Sequence, residues 1–76
     1  MSAVVPVLLY SRTGCPHSDA KRAELTARGV PVREVNVSER PEAIPELLKL
    51  TAGRRIVPVI VDTGRIAVAP DGGSHF

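Results

Sequence analysis

The stretch Tyr10-Ser11-Arg12-Thr13-Gly14-Cys15-Pro16-His17-Ser18 decides how the rest of the chain is read. The run Val4 to Tyr10 enters it, continuously apolar and with β-branched residues, the pattern of a strand buried on both faces. Pro6 lies near the start of that strand, where a missing N–H is tolerated. Ser11 to Gly14 is a polar turn, and Pro16 suits the first helical position because its absent N–H has no partner there. The helix runs from Cys15-Pro16 to about Arg28 and stops at Gly29. Ala20, Ala23, Leu25 and Ala27 are its expected apolar stripe, with Asp19, Lys21, Arg22 and Glu24 facing water.

Outward from that unit, Val30 to Val37 alternates, with Val35 and Val37 on one face and Glu34 and Asn36 on the other, as a second strand does. Ser38 is the expected cap of a second helix that buries Leu47, Leu48 and Leu50. Pro41 suits an early turn of it, Pro45 fits poorly inside, so the helix proper is expected to begin near Pro45 and to end at Thr51-Ala52-Gly53. Ile56 to Val61 reads as a third, central strand, Asp62-Thr63-Gly64-Arg65 as a hairpin turn and Ile66 to Ala69 as a fourth strand. Pro70-Asp71-Gly72-Gly73 is a loop. The order β-α-β-α-β-β implies one parallel pair through a right-handed crossover and an antiparallel closing hairpin. The expected fold is therefore α/β, a mixed four-stranded sheet flanked by helices.

The chain has 76 residues, which predicts one domain over residues 1–76. At 43% hydrophobic and 24% charged it is too apolar for a disordered chain. The net charge is only +2, the basic residues are dispersed, and Tyr10 and Phe76 are the sole aromatics, so a nucleic-acid surface is not expected. No apolar run approaches the roughly 18 residues of a membrane span. The opening Met1-Ser2-Ala3-Val4-Val5-Pro6 lacks a signal-peptide layout, and the expectation is a cytoplasmic protein without membrane contact. A single cysteine, Cys15, excludes an internal disulfide and a cysteine zinc site within one chain. A domain this small and without a staple depends on aliphatic packing, to which a homodimer could add.

Cys15 has the strongest chemical placement. A thiolate at a helix N-terminus faces unpaired N–H groups and the positive end of the helix dipole, so its pKa should fall below the free value of roughly 8.5. Arg12 adds positive charge nearby, and His17 and Ser18 are within reach as donors. The plainer alternative is a small, buried and inert side chain. Val57-Pro58 is the second signal, a proline inside the most apolar run of the chain. A cis peptide there reconciles the two and opens the Val57 backbone to a visiting peptide; an ordinary trans proline opening a strand is the alternative.

Tyr10 to Ser18 resembles the active-site segment of glutaredoxins, Thr51 to Ile60 their cis-proline loop, and Gly72-Gly73 their glycine pair. The similarity covers roughly Val4 to Gly73. The chain also resembles a glutaredoxin-like group some of whose members carry selenocysteine where this chain has Cys15. The resemblance implies a thioredoxin-like fold with Pro58 cis and Cys15 as nucleophile. It implies glutathione as co-substrate, held by Arg12, Pro16, His17, Ser18, Val57, Pro58, Gly72, Gly73 and Ser74. Arg12 would meet one glutathione carboxylate, the Val57 backbone would pair with the tripeptide as an added strand, and Gly73 and Ser74 would offer N–H groups to the other carboxylate.

Four departures from the family pattern qualify this. Ser18 stands at the second cysteine of the dithiol motif, Ile56 stands where Thr is usual, and the stretch from Arg65 to Gly72 is longer than common. The chain also stops where a final C-terminal helix is expected, which would leave an apolar face for a partner chain. With one thiol, the implied mechanism is monothiol: Cys15 attacks a glutathione mixed disulfide, and free glutathione regenerates it. The implied partners are glutathione and glutathionylated or disulfide-bonded proteins, with no metal expected. One alternative is a [2Fe–2S] cluster carried between two chains by Cys15 of each and two glutathione sulfurs, although Pro16-His17 stands where such relatives usually carry Gly-Phe. Another is a non-catalytic redox-sensing or binding module.

Overall fold

The computed structural model describes residues 6–76, so Val4 and Val5 of the expected first strand lie outside the described residues. The elements are β1 (Val7–Ser11), α1 (Pro16–Ala27), β2 (Val32–Asn36), a 3₁₀ turn (Pro41–Ala43), α2 (Ile44–Leu50), β3 (Ile56–Val57), β4 (Val59–Asp62), β5 (Arg65–Val68) and β6 (Ser74–His75). Four strands form a sheet in the order β2-β1-β4-β5, and β3 pairs separately with β6. β1 runs parallel to β2, in register from Val7 opposite Val32 to Ser11 opposite Asn36. Its other edge takes β4 antiparallel, Leu9 opposite Ile60, and β5 closes the sheet against β4. This is the expected mixed α/β sheet with the thioredoxin-like order.

The sheet is loaded on both faces because successive side chains of a strand point to opposite sides. Val7 and Leu9 of β1 join Ile60 and Leu25 of α1 in one cluster, with Val30, Val32 and Ala67 packed against it. Tyr10 of β1 joins Val59, Val37, Val57, Cys15 and Leu47 of α2 in the other. One helix thus covers each face. Leu9, Leu47, Val57 and Val59 are fully buried. Among the described residues the one exposed large hydrophobic is Ile66.

Four local expectations are corrected. The apolar run Ile56 to Val61 is not one strand: the chain breaks at Pro58, whose peptide bond with Val57 is cis, leaving β3 outside the main sheet and β4 at its centre. The buried residues of α1 are Ser18 and Leu25, while Ala20, Ala23 and Ala27 are exposed. Lys21 and Arg22 share the inner side with them at helical spacing, their aliphatic stems lying over the protein and their charged ends reaching carboxylates. Ser38 does not cap α2, which begins at Ile44 without a side-chain cap; its hydroxyl accepts from the Thr13 N–H at 3.2 Å instead. Finally, Ser74 and His75 form a strand that composition did not announce. The Asp62–Arg65 hairpin is as expected, with Thr63 and Gly64 both at positive φ, the backbone of a two-residue type I′ turn.

Arg22 joins α1 to β2 through a bidentate pair with Glu34, its Nη2 donating to Oε2 at 2.6 Å and its Nε to Oε1. The buried Ser11 hydroxyl donates to the same carboxylate at 2.5 Å. These contacts, Arg22 first, hold the Glu34 carboxyl below its ordinary range. Leu47→Ala, which empties a fully buried site, is expected to lower the stability measured by urea unfolding by about 2–5 kcal/mol. Ala23→Gln, on the outward face of α1, is expected to change it by less than about 0.5 kcal/mol.

Candidate active site around Cys15

The approach to Cys15 is fixed from β2. The Val37 N–H donates to the Ser11 carbonyl at 2.8 Å, continuing the parallel ladder past its last formal pair. Asn36 donates through Nδ2 to the Thr13 hydroxyl at 3.0 Å, while its Oδ1 accepts from the Ser38 N–H at 2.8 Å. Gly14, at φ +77°, then turns the chain into α1 through a conformation that costs a residue with a Cβ. Cys15 is the N-cap in extended conformation and Pro16 is the first helical residue, as the sequence predicts.

Cys15 is 2% exposed, and its sulfur is held by neighbours on two elements. It accepts from the Ser18 N–H at 3.4 Å, as a capping atom does, and lies 3.3 Å from the Ser74 hydroxyl. Burial pushes the thiol pKa up, but the Ser18 and Ser74 hydroxyls and the Ser18 and His17 N–H groups outweigh it, and the net shift is downward. The Ser18 hydroxyl is fully buried and makes no hydrogen bond of good geometry with the neutral site. A buried donor without a partner is costly, and a thiolate beside it supplies the missing acceptor.

The remaining expected residues converge on this point from distant parts of the chain. Pro58, in its cis peptide, and His17 line a cleft of about 250 Å³ with Lys21, Asp71 and Gly72. The Lys21 Nζ reaches Asp71 at 2.5 Å and Glu24 at 2.9 Å, tying the glycine loop to α1. Gly72 sits at φ +101° with the His17 ring 3.1 Å from where a Cβ would stand. A Cβ on Gly73 would collide with the Val57 carbonyl oxygen. Close approach therefore requires glycine at residue 73, and the positive φ favours it at residue 72.

Three expected contacts are arranged differently. The Val57 backbone is not open: Val57 lies opposite Ser74 in the β3–β6 ladder. Ser74 meets the site with its side chain, on the sulfur, besides lying in β6. The Arg12 guanidinium donates to the His75 carbonyl at 2.9 Å. The hydroxyl contact of Ser74 and the Lys21–Asp71 tie had no signal in the sequence, because each joins residues about fifty or more positions apart. Among the described residues no group of three or more His, Cys, Asp or Glu side chains gathers as a metal site; a cluster shared between two chains uses one cysteine from each and is untouched by that count. No helix of the described residues is long and apolar enough to cross a membrane.

The glutaredoxin family model matches residues 7–66, which contain β1, the Cys15 turn, both helices and the cis-proline break. The chain belongs to the glutaredoxin family. It is also 35% identical over 65 residues to N-acetyl-S-hydroxy-L-cysteine reductase of Bacillus subtilis (strain 168), a match covering 86% of this chain and 68% of that protein. No solved structure matches the chain. Family and relative together make thiol oxidoreductase chemistry the function class, and glutaredoxins in general use glutathione as co-substrate.

A depressed thiol pKa has a direct readout. The rate of Cys15 alkylation by iodoacetamide is expected to rise with pH through a midpoint below that of the same cysteine in the unfolded chain. Ser18→Ala and Ser74→Ala should each move that midpoint upward, since each removes a donor to the thiolate. The linked stability has the sign of an acid with a lowered folded pKa. It is fully present above the unfolded thiol pKa and is lost as pH falls through the folded one.

Proposed function

We propose that this chain is a glutathione-dependent thiol-disulfide reductase working by a monothiol route through Cys15. One observation carries the reading: the sole thiol of the chain is the N-cap of α1, with hydroxyl and N–H donors that favour its thiolate. In the first step the Cys15 thiolate attacks the glutathione sulfur of a mixed disulfide. The client leaves as a thiolate and takes a proton from water, and Cys15 carries glutathione. In the second step a glutathione thiolate attacks the glutathione sulfur on Cys15, giving oxidised glutathione and the free Cys15 thiolate. The client leaves with the electron pair of the broken S–S bond, and one incoming glutathione thiol takes its place in the disulfide, so a mixed disulfide and one glutathione give the client thiol and oxidised glutathione. A moderately lowered pKa suits both halves, since Cys15 is nucleophile in the first and leaving group in the second. Ser18, on the same helix turn, serves the thiolate in each, and Ser74 serves it in the substrate-free chain. An activity that draws on reduced glutathione suits a reducing compartment, and the proposed location is the cytoplasm.

A second substrate reading rests on the relative's name. In a sulfenic acid, R–S–OH, the same thiolate attacks sulfur, releases hydroxide that leaves as water, and forms a mixed disulfide that two thiols then resolve. The two readings share Cys15 and differ in the group displaced from sulfur. Purified protein supplied with glutathione is expected to turn over a glutathionylated peptide saturably, and Cys15→Ser is expected to lower that rate at least about a thousandfold, in keeping with loss of a covalent nucleophile. Turnover confined to N-acetyl-S-hydroxy-L-cysteine would replace the first reading by the second. Turnover that survives Cys15→Ser would end both.

A further inference from the structure

Residues 74–76 of the chain itself lie along β3, with Ser74 against Cys15. β6 adds antiparallel to β3, with Val57 opposite Ser74 and Ile56 opposite His75. The Phe76 N–H donates to the Arg55 carbonyl at 3.0 Å, so the alternation of an antiparallel ladder makes Val57 and Ser74 the next hydrogen-bonded pair. Side chains clamp the segment along its length. The Ser74 hydroxyl lies 3.3 Å from the Cys15 sulfur, and the Arg12 guanidinium holds the His75 carbonyl at 2.9 Å. The Arg55 Nε donates to the Phe76 carbonyl at 3.0 Å, and its guanidinium carbon lies 5.1 Å from the centre of the Phe76 ring. The ladder is separate from the four-stranded sheet, and Phe76 at its end also packs against the cluster around Tyr10 and Leu47.

Serine differs from cysteine only in its side-chain chalcogen. In an extended strand paired with Val57, the Ser74 oxygen stands where a cysteinyl sulfur would meet the Cys15 nucleophile. From this juxtaposition we infer that Ser74–Phe76 is an internal pseudosubstrate, seated as a disulfide-bearing peptide would be seated and competing with it for Cys15. The inference rests on the exchange chemistry proposed above. It assigns the substrate class as disulfides whose reacting cysteine lies in an extended backbone, with the next carbonyl on Arg12. It also explains why a nucleophile is buried: the segment covers Cys15 and must leave before a substrate enters. Lacking sulfur at residue 74, the segment occupies the groove without being consumed.

The test introduces the missing sulfur. Ser74→Cys in the full chain is incubated with oxidised glutathione. Cys15 attacks it and releases one glutathione thiol, and the introduced thiol then attacks the Cys15 sulfur and releases the second. The expected product is an intramolecular disulfide, seen as a mass lower by two hydrogens with no glutathione attached. His75→Cys, whose side chain points to the opposite face of the strand, is expected to stop at glutathione adducts. A Ser74→Cys chain that fails to close, or closes no faster than His75→Cys, overturns the seating.

Competition is tested outside the site by Phe76→Ala, with Arg55→Gln as a second variant should the first fold poorly. Loss of the cation–π clamp is expected to raise the Cys15 alkylation rate by about two- to fivefold and to lower KM for a glutathionylated peptide by the same factor, with kcat unchanged. Unchanged alkylation and KM in both variants overturns the competitor role. Absence of turnover in the parent chain, with Ser74→Cys closing readily and alkylation accelerated by Phe76→Ala, would sink the exchange reading and uphold the occupied groove.

Discussion

Strand β1 carries the rest of the structure because it is paired along both edges and buried on both faces. Parallel β2 and antiparallel β4 satisfy its backbone, and α1 and α2 cover the side chains that alternate above and below it. In a chain of 76 residues whose one cysteine is free, one strand shared by two clusters is what makes them a single cooperative core. The same strand delivers the chain to the site. Only three residues separate its last position, Ser11, from Cys15, so the rigidity of β1 reaches the sulfur almost undiluted.

The site itself is polar material enclosed by that core. Among the described residues Ser11, Ser18 and Thr51 are the buried polar ones, and each position has a consequence. Ser11 links the end of β1 to Glu34, and Thr51 donates to the Arg54 carbonyl at 2.5 Å, shaping the entry to β3. Ser18 alone has a hydroxyl without a good partner, and it lies on the turn that caps α1 with sulfur. The arrangement is poorly satisfied when the thiol is neutral and better satisfied when it is charged, which is the condition thiol exchange requires. Lys21, held by Glu24 and Asp71, keeps the glycine loop against α1, so that Gly73 can approach Val57 and present Ser74 to the sulfur.

Much of this was legible without coordinates, for reasons that are local. Pro16 after a cysteine, a glycine before it and an apolar run upstream predict a strand, a turn and a capped helix through steric rules spanning a few residues. The hairpin at Thr63-Gly64 needs two positive φ values and follows from its turn chemistry. The misread features are those in which local signals compete. Alanines were assigned to the buried stripe of α1 because they are apolar. The helix is instead phased by Cys15 and Ser18 at its start, and that phase turns Lys21 and Arg22 toward the carboxylates of Asp71 and Glu34. Ser38 looks like a cap, yet Asn36 and Thr13 recruit that corner to brace the turn before Cys15. The apolar run at Ile56 to Val61 suggests a single strand, whereas it serves two ladders on either side of Pro58.

By itself the sequence determined the order of elements from β1 to α2 and the hairpin after β4, the two-faced burial of the first strand and the identity and helix-cap placement of the nucleophile. Each of these depends on residues within a turn or two of one another, where periodicity and backbone sterics act. Tertiary structure alone decided what stands against the sulfur. Ser74 is 59 residues from Cys15, and Arg12 is 63 residues from the His75 carbonyl that it holds. Such pairs arise from the crossing of separate strands and loops around a shared core. No short-range pattern encodes them, because the free energy that joins them is gained only after the sheet has formed.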